Sequence, residues 1–112
     1  MKKILIIDDE RAIRSTLKEI LEFEKYEVDD AEDGTVGLKY IESKSYDLIF
    51  CDIKMPKMDG IEFLERKMKS ESYCPIIMIS GHGNIETAVQ ALKKGAYDYI
   101  EKPLSELKNK IR

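Results

Sequence analysis

An α/β fold built on a doubly wound parallel sheet is predicted, and three observations predict it. Short apolar runs alternate with stretches of helical periodicity five times along the chain. Three of the runs, Ile4–Ile7, Leu48–Cys51 and Ile76–Ile79, are continuous, as strands covered on both faces require. The 112 residues fit one compact domain and leave no room for a second. Regular strand–helix alternation implies right-handed crossovers, which place helices on both faces of the sheet.

Each element has its own signal. Ile4–Ile7 is the first strand. Ile13, Leu17, Ile20 and Leu21 then recur at i, i+4, i+7 and i+8, which marks one face of a helix. Glu27–Ala31 is the weakest of the five strand patterns. Thr35–Ile41 reads as a helix in spite of Gly37, which lowers helix propensity. Leu48–Cys51 is the third strand, and Ile61, Leu64 and Met68 at i, i+3 and i+7 mark the helix after it. Ile76–Ile79 is the fourth strand. Ile85, Ala88, Val89 and Leu92 form the next stripe, with Asn84 placed as its N-cap. Tyr97–Ile100 is the fifth strand. Leu104, Leu107 and Ile111 begin a last helix that is short and basic through Lys108, Lys110 and Arg112. The expectation is one domain over residues 1–112, cut from a longer protein.

Composition narrows the function. Hydrophobic residues at 43% and charged residues at 37% describe a globular chain, not a disordered one. Nineteen basic against 22 acidic side chains leave a net charge of −3, which argues against direct nucleic-acid binding. No apolar run approaches the ~20 residues of a membrane-spanning helix. The start, Met1-Lys2-Lys3 with four aliphatics before Asp8, does not read as a secretory signal. Cys51 and Cys74 make no disulfide framework, and a reduced, cytoplasmic protein is expected. Cys51 should point into the core, away from the side of its neighbour Asp52.

The chemistry sits after the apolar runs. Ile4–Ile7 is followed by Asp8, Asp9 and Glu10; Leu48–Cys51 by Asp52; Ile76–Ile79 by Ser80; Tyr97–Ile100 by Glu101, Lys102 and Pro103. In a parallel sheet these C-terminal ends lie along one edge, where doubly wound proteins bind ligands. Asp8, Asp9, Asp52, Ser80 and Lys102 should therefore converge. Three carboxylates in one crevice raise at least one pKa unless a cation relieves them. All-oxygen donors point to a hard ion, Mg2+ or Mn2+. A divalent ion, a lysine and a hydroxyl together suit a phosphoryl group. No nucleotide-binding loop accompanies them: Gly81-His82-Gly83 lacks the third glycine of a dinucleotide fingerprint, because Glu86 stands there. Asp8-Asp9-Glu10 would repel a nucleotide phosphate. The phosphoryl group is then expected on the protein itself, with a carboxylate as nucleophile.

These pieces resemble the response-regulator receiver domains of two-component signalling. The likeness rests on Ile7-Asp8-Asp9-Glu10, the stretch from Asp52 to Gly60, Ser80-Gly81 and Lys102-Pro103, in this order and at these spacings. It implies a flavodoxin-like strand order 2-1-3-4-5, with Asp52 as phosphoacceptor for a sensor histidine kinase. It implies that Asp8, Asp9 and Asp52, with the Lys54 backbone carbonyl, hold Mg2+, Asp8 mainly through water. Lys102 and Ser80 would bind phosphoryl oxygens, Tyr99 would be the switch aromatic, and Lys102-Pro103 would carry a cis peptide. Lys54 and His82 occupy positions that tune dephosphorylation in the family. The output surface would be the fourth helix, the fifth strand and the last helix, and a phosphorylation-dependent homodimer is a family habit. The chain from Met78 to Ile85 and from Lys94 to Leu104 resembles the NtrC-like regulators, in which an ATPase acting on sigma-54 polymerase and a DNA-binding domain follow the receiver.

Plainer readings stand beside these. The acidic run could serve as a helix cap, Tyr99 as a static packed residue, His82 as a solvated loop residue, and Asp59-Gly60 as a turn and helix start. Serine replaces the commoner threonine at position 80, and Gly37 stands where alanine is frequent, which implies a less stable second helix. Three other functions compete. A Mg2+-dependent phosphatase would want an acid where Lys54 stands. A phosphorylation-independent module would not need the intact set of site residues. A stand-alone phosphate shuttle would lack DNA-binding output.

Overall fold

A computed structural model describes residues 2–70, 73–81 and 85–102. The chain runs β1 (Lys3–Ile7), α1 (Arg11–Phe23), β2 (Glu27–Ala31), α2 (Gly34–Ser43), β3 (Leu48–Asp52), α3 (Gly60–Met68), β4 (Ile76–Ser80), α4 (Ile85–Lys93) and β5 (Asp98–Glu101). These strands pair in parallel in the order β2-β1-β3-β4-β5. From β1 the chain first steps outward to β2 and then back across to β3. The strand order therefore reverses beside β1, and that opens a crevice at the C-terminal ends of β1 and β3.

The pleat sorts the core into two layers. Leu5, Ile7, Ile49, Cys51, Ile76 and Met78 share one cluster with Phe63 and Leu64 of α3 and with Ala88 and Ala91 of α4. Ile4, Ile6, Val28, Phe50, Ile77, Ile79 and Ile100 share the other with Leu17 and Leu21 of α1. Neighbours in sequence alternate between clusters, as period-2 strands buried on both faces require. Cys51 lies in the core as expected.

Differences from the expected elements are local. β3 and β4 each run one residue further, so Asp52 and Ser80 are the last residues of their strands. β5 begins at Asp98; Tyr97 precedes it and is 69% exposed. In α4 the small Ala88 and Ala91 face the core while Ile85 and Val89 stand exposed, so the apolar stripe is wider than the covered face. α2 starts earlier than the periodicity indicates, because the Asp33 side chain accepts a hydrogen bond from Val36 N at 3.0 Å and caps it. Gly37 is buried in that helix. A Cβ there would stand 2.5 Å from Ile7 Cδ1 and 3.3 Å from Phe63 Cε1, so the missing side chain lets α2 lie against β1. Asn84 and the expected last helix from Leu104 lie outside the described residues. No helix among the described residues is long and apolar enough to cross a membrane.

Candidate functional site

The parallel ladders carry the site residues to one edge. Asp8 N donates to Ala31 O at 3.1 Å, Ile53 N to Ile79 O at 3.1 Å, and Lys102 N to Ser80 O at 2.9 Å. Each bond extends the pairing just past a strand end and fixes the backbone beside a polar side chain. The loop after β3 is held equally firmly. Gly60 N donates to Ile53 O at 2.7 Å, and the Asp59 carboxylate caps α3 by accepting from Glu62 N at 2.8 Å. A side chain on Gly60 would collide with the Asp52 carbonyl and reach 2.8 Å from Ile53 Cα, so only glycine closes the loop this tightly. Asp59-Gly60 is thus the turn and helix start that its sequence indicates.

Asp8, Asp9 and Asp52 each offer a carboxylate oxygen within 4.8 Å of the other two. Asp8 and Asp52 are buried and Asp9 is exposed. Asp8 Oδ1 accepts from Glu10 N at 2.8 Å. Asp8 Oδ2 is buried and, among the described residues, accepts no hydrogen bond. Lys102 Nζ lies over the group, 3.5 Å from Asp8 Oδ2 and 3.7 Å from Asp52 Oδ2, but closest to Glu10 Oε1 at 2.7 Å. Four of the five residues expected to converge, Asp8, Asp9, Asp52 and Lys102, therefore do so in these contacts. Ser80 ends β4 at the same edge, with its hydroxyl donating to Gly81 O at 3.2 Å.

The electrostatics follow from this crowding. Burial, and then the charge of Asp8, pushes the Asp52 carboxyl up to about 7, with Lys102 opposing. Burial likewise raises Asp8, against the hydrogen bond from Glu10 N. Burial alone would lower Lys102, but Glu10, Asp52 and Asp8 outweigh it and raise the ammonium. A buried oxygen that accepts no hydrogen bond among the described residues, beside two further carboxylates, fits a hard divalent cation, which takes oxygen ligands and offsets their repulsion.

The remaining expected residues are placed as follows. Lys54 is exposed in the loop after Asp52. Tyr99 is half-buried against the α3–α4 side of the core and pairs in register with Met78, two residues before Ser80. His82 and Pro103 lie outside the described residues, and with them the dephosphorylation role of His82 and the cis peptide. Sequence reasoning missed two residues. Arg14 Nη1 donates to Asp8 O at 2.8 Å while its Nε donates to Asp30 Oδ2 at 2.9 Å, which ties α1 and β2 to the site. Glu10 reads in sequence as part of an acidic run, and no spacing signals that its side chain meets Lys102.

A doubly wound sheet in this order, with an acidic crevice and a lysine at its strand tips, is the architecture of a receiver-type signalling module. Residues 4–112 match the response regulator receiver domain model, and the chain belongs to that family. It is 46% identical over 104 residues to the nitrogen assimilation regulatory protein NtrX of Azorhizobium caulinodans, covering 91% of this chain and 23% of that protein. The solved receiver domain of NtrX from Brucella abortus superposes with a TM-score of 0.90 at 41% identity, covering 96% of this chain and 92% of that one. A CheY-like receiver domain from Methanospirillum hungatei superposes with a TM-score of 0.91 at 42% identity, covering 99% of this chain and 90% of that one. The chain thus spans under a quarter of the length of the NtrX regulator it matches.

Proposed function

We propose that Asp52 accepts a phosphoryl group from a phosphohistidine on a sensor histidine kinase. An Asp52 carboxylate oxygen attacks phosphorus, the phosphorus–nitrogen bond breaks, and the imidazole leaves. The observation that carries this is the convergence of Asp8, Asp9 and Asp52 within 4.8 Å, with one buried Asp8 oxygen that accepts no hydrogen bond among the described residues and the Lys102 ammonium 3.5 Å from it. Asp8, Asp9, Asp52 and the Lys54 carbonyl would hold Mg2+ or Mn2+. That ion would supply charge neutralisation for the phosphoryl oxygens. Lys102 and the Ser80 hydroxyl bind the transferred group. The added charge draws Ser80 toward it, Tyr99 follows, and the α4–β5 side changes shape. Lys54 and His82 tune dephosphorylation, so the domain both acquires and slowly loses its phosphoryl group.

The named relatives are regulatory proteins, which supports a cytoplasmic receiver that controls transcription through an ATPase and DNA-binding output of the sigma-54 type, with homodimerisation on phosphorylation. Nucleic acid is contacted by that output, not by this domain. The test is intact-protein mass after incubation with Mg2+ and a small acyl phosphate. One added phosphoryl group is expected, absent without Mg2+ and absent in Asp52→Ala. A full-yield adduct in Asp52→Ala would remove Asp52 as the acceptor.

A further inference from the structure

Glu10 occupies the N-cap of α1, and its backbone carbonyl accepts from Arg14 N at 3.1 Å as a cap should. Its carboxylate, however, makes no cap hydrogen bond. It reaches instead to Lys102, 92 residues away in sequence, and forms the shortest of that lysine's ion pairs at 2.7 Å. Lys102 therefore sits closest to the rim carboxylate, while its ion pairs to the buried Asp8 Oδ2 and Asp52 Oδ2 are longer, at 3.5 and 3.7 Å. The Lys102 side chain is 18% exposed while that of Glu10 is 57% exposed, so the lysine is held by a partner it can leave at modest cost.

We infer that Glu10 is a positioning residue that parks Lys102 away from Asp52 and thereby restrains phosphorylation. The inference rests on the phosphoacceptor reading above. The ammonium keeps two further donors, but the 2.7 Å bond fixes its position beside Glu10, so Nζ must shift toward Asp52 to approach a phosphoryl oxygen closely. Glu10→Gln removes the competing charge at nearly constant shape, on a rim position that packs into neither core cluster.

The experiment follows the labelling rate of the full chain by mass, with saturating Mg2+ and a small acyl phosphate, in wild type, Glu10→Gln, Lys102→Ala and the double variant. Glu10→Gln is expected to be labelled about two- to fivefold faster, the rate equivalent of a partly exposed ion pair. In the Lys102→Ala background the same change should have no effect. A second readout needs no phosphorylation: Lys102 should acylate about two- to fivefold faster with an amine-reactive reagent in Glu10→Gln, as peptide mapping would show. An unchanged labelling rate would overturn the inference. So would equal acceleration in both backgrounds, which would mean that Glu10 merely repels the anionic donor. Wild-type protein that takes no label would sink the phosphoacceptor reading, and this inference with it. Labelled wild type with an indifferent Glu10→Gln would sink the inference alone.

Discussion

Asp52 shows how far one residue can be driven by its surroundings. It is 4% exposed and shares its crevice with Asp8, so its carboxyl rises from 3.8 to about 7. Between those values the native protein keeps a proton that the unfolded chain has released. Stability of the metal-free protein must therefore fall as pH rises from about 4 to about 7 through this group. Asp52→Asn lacks that burden. In chelator-containing buffer above pH 7 it is expected to unfold at higher urea than wild type, by about 1–3 kcal/mol. The two should converge below about pH 4, and Mg2+ should narrow the gap at neutral pH by stabilising only wild type. Equal midpoints at pH 8 without metal would mean that the crevice does not penalise the charged carboxylate.

At the scale of elements, two glycines make close approaches that only the folded chain reveals. Gly37 reads as a flaw in a helix, yet it sits where α2 meets β1, with Ile7 Cδ1 in the space a methyl would take. Gly37→Ala gains about 1 kcal/mol of helix propensity. It also overpacks a core site, which costs about 1–3 kcal/mol, so a net loss of about 1 kcal/mol is expected. Ile7→Val removes the opposing Cδ1. The double variant should be less destabilised than the sum of the two single changes, and strict additivity in chemical denaturation would refute the clash. Gly60 reads correctly as a turn, but its close approach to the Asp52 carbonyl emerges only from the folded loop. The ends of β3 and β4 are similar: periodicity places Asp52 and Ser80 just beyond their strands, whereas the ladder includes them because backbone pairing continues to Ile53 N.

Across the whole molecule the sheet connects two regions. Its C-terminal edge carries the carboxylates, and its β4–β5 side carries Tyr99 with the exposed Ile85 and Val89 of α4. Lys102 belongs to both, since its side chain reaches the carboxylates while its backbone N–H bonds to Ser80 O. Lys102→Ala is expected to retain Mg2+ binding and to take the phosphoryl group more slowly, but to lose the response on the α4–β5 side. Amide spectra would check this: signals of residues 85–101 should shift on phosphorylation of wild type and stay in place in the variant. Shifts of wild-type size in Lys102→Ala would remove that lysine from the coupling.

The sequence by itself determined the element order, the doubly wound class and the set of carboxylates and lysine at one edge. Those properties depend on local periodicity and on which residues follow each apolar run. Tertiary structure alone decided that Asp8 Oδ2 accepts no hydrogen bond among the described residues, that Gly37 makes room for Ile7, that Arg14 braces the Asp8 carbonyl, and that Glu10 holds Lys102. The reason is physical. Burial, close packing and ion pairing are set by distances in space between residues far apart in the chain, and no spacing along one segment encodes those distances.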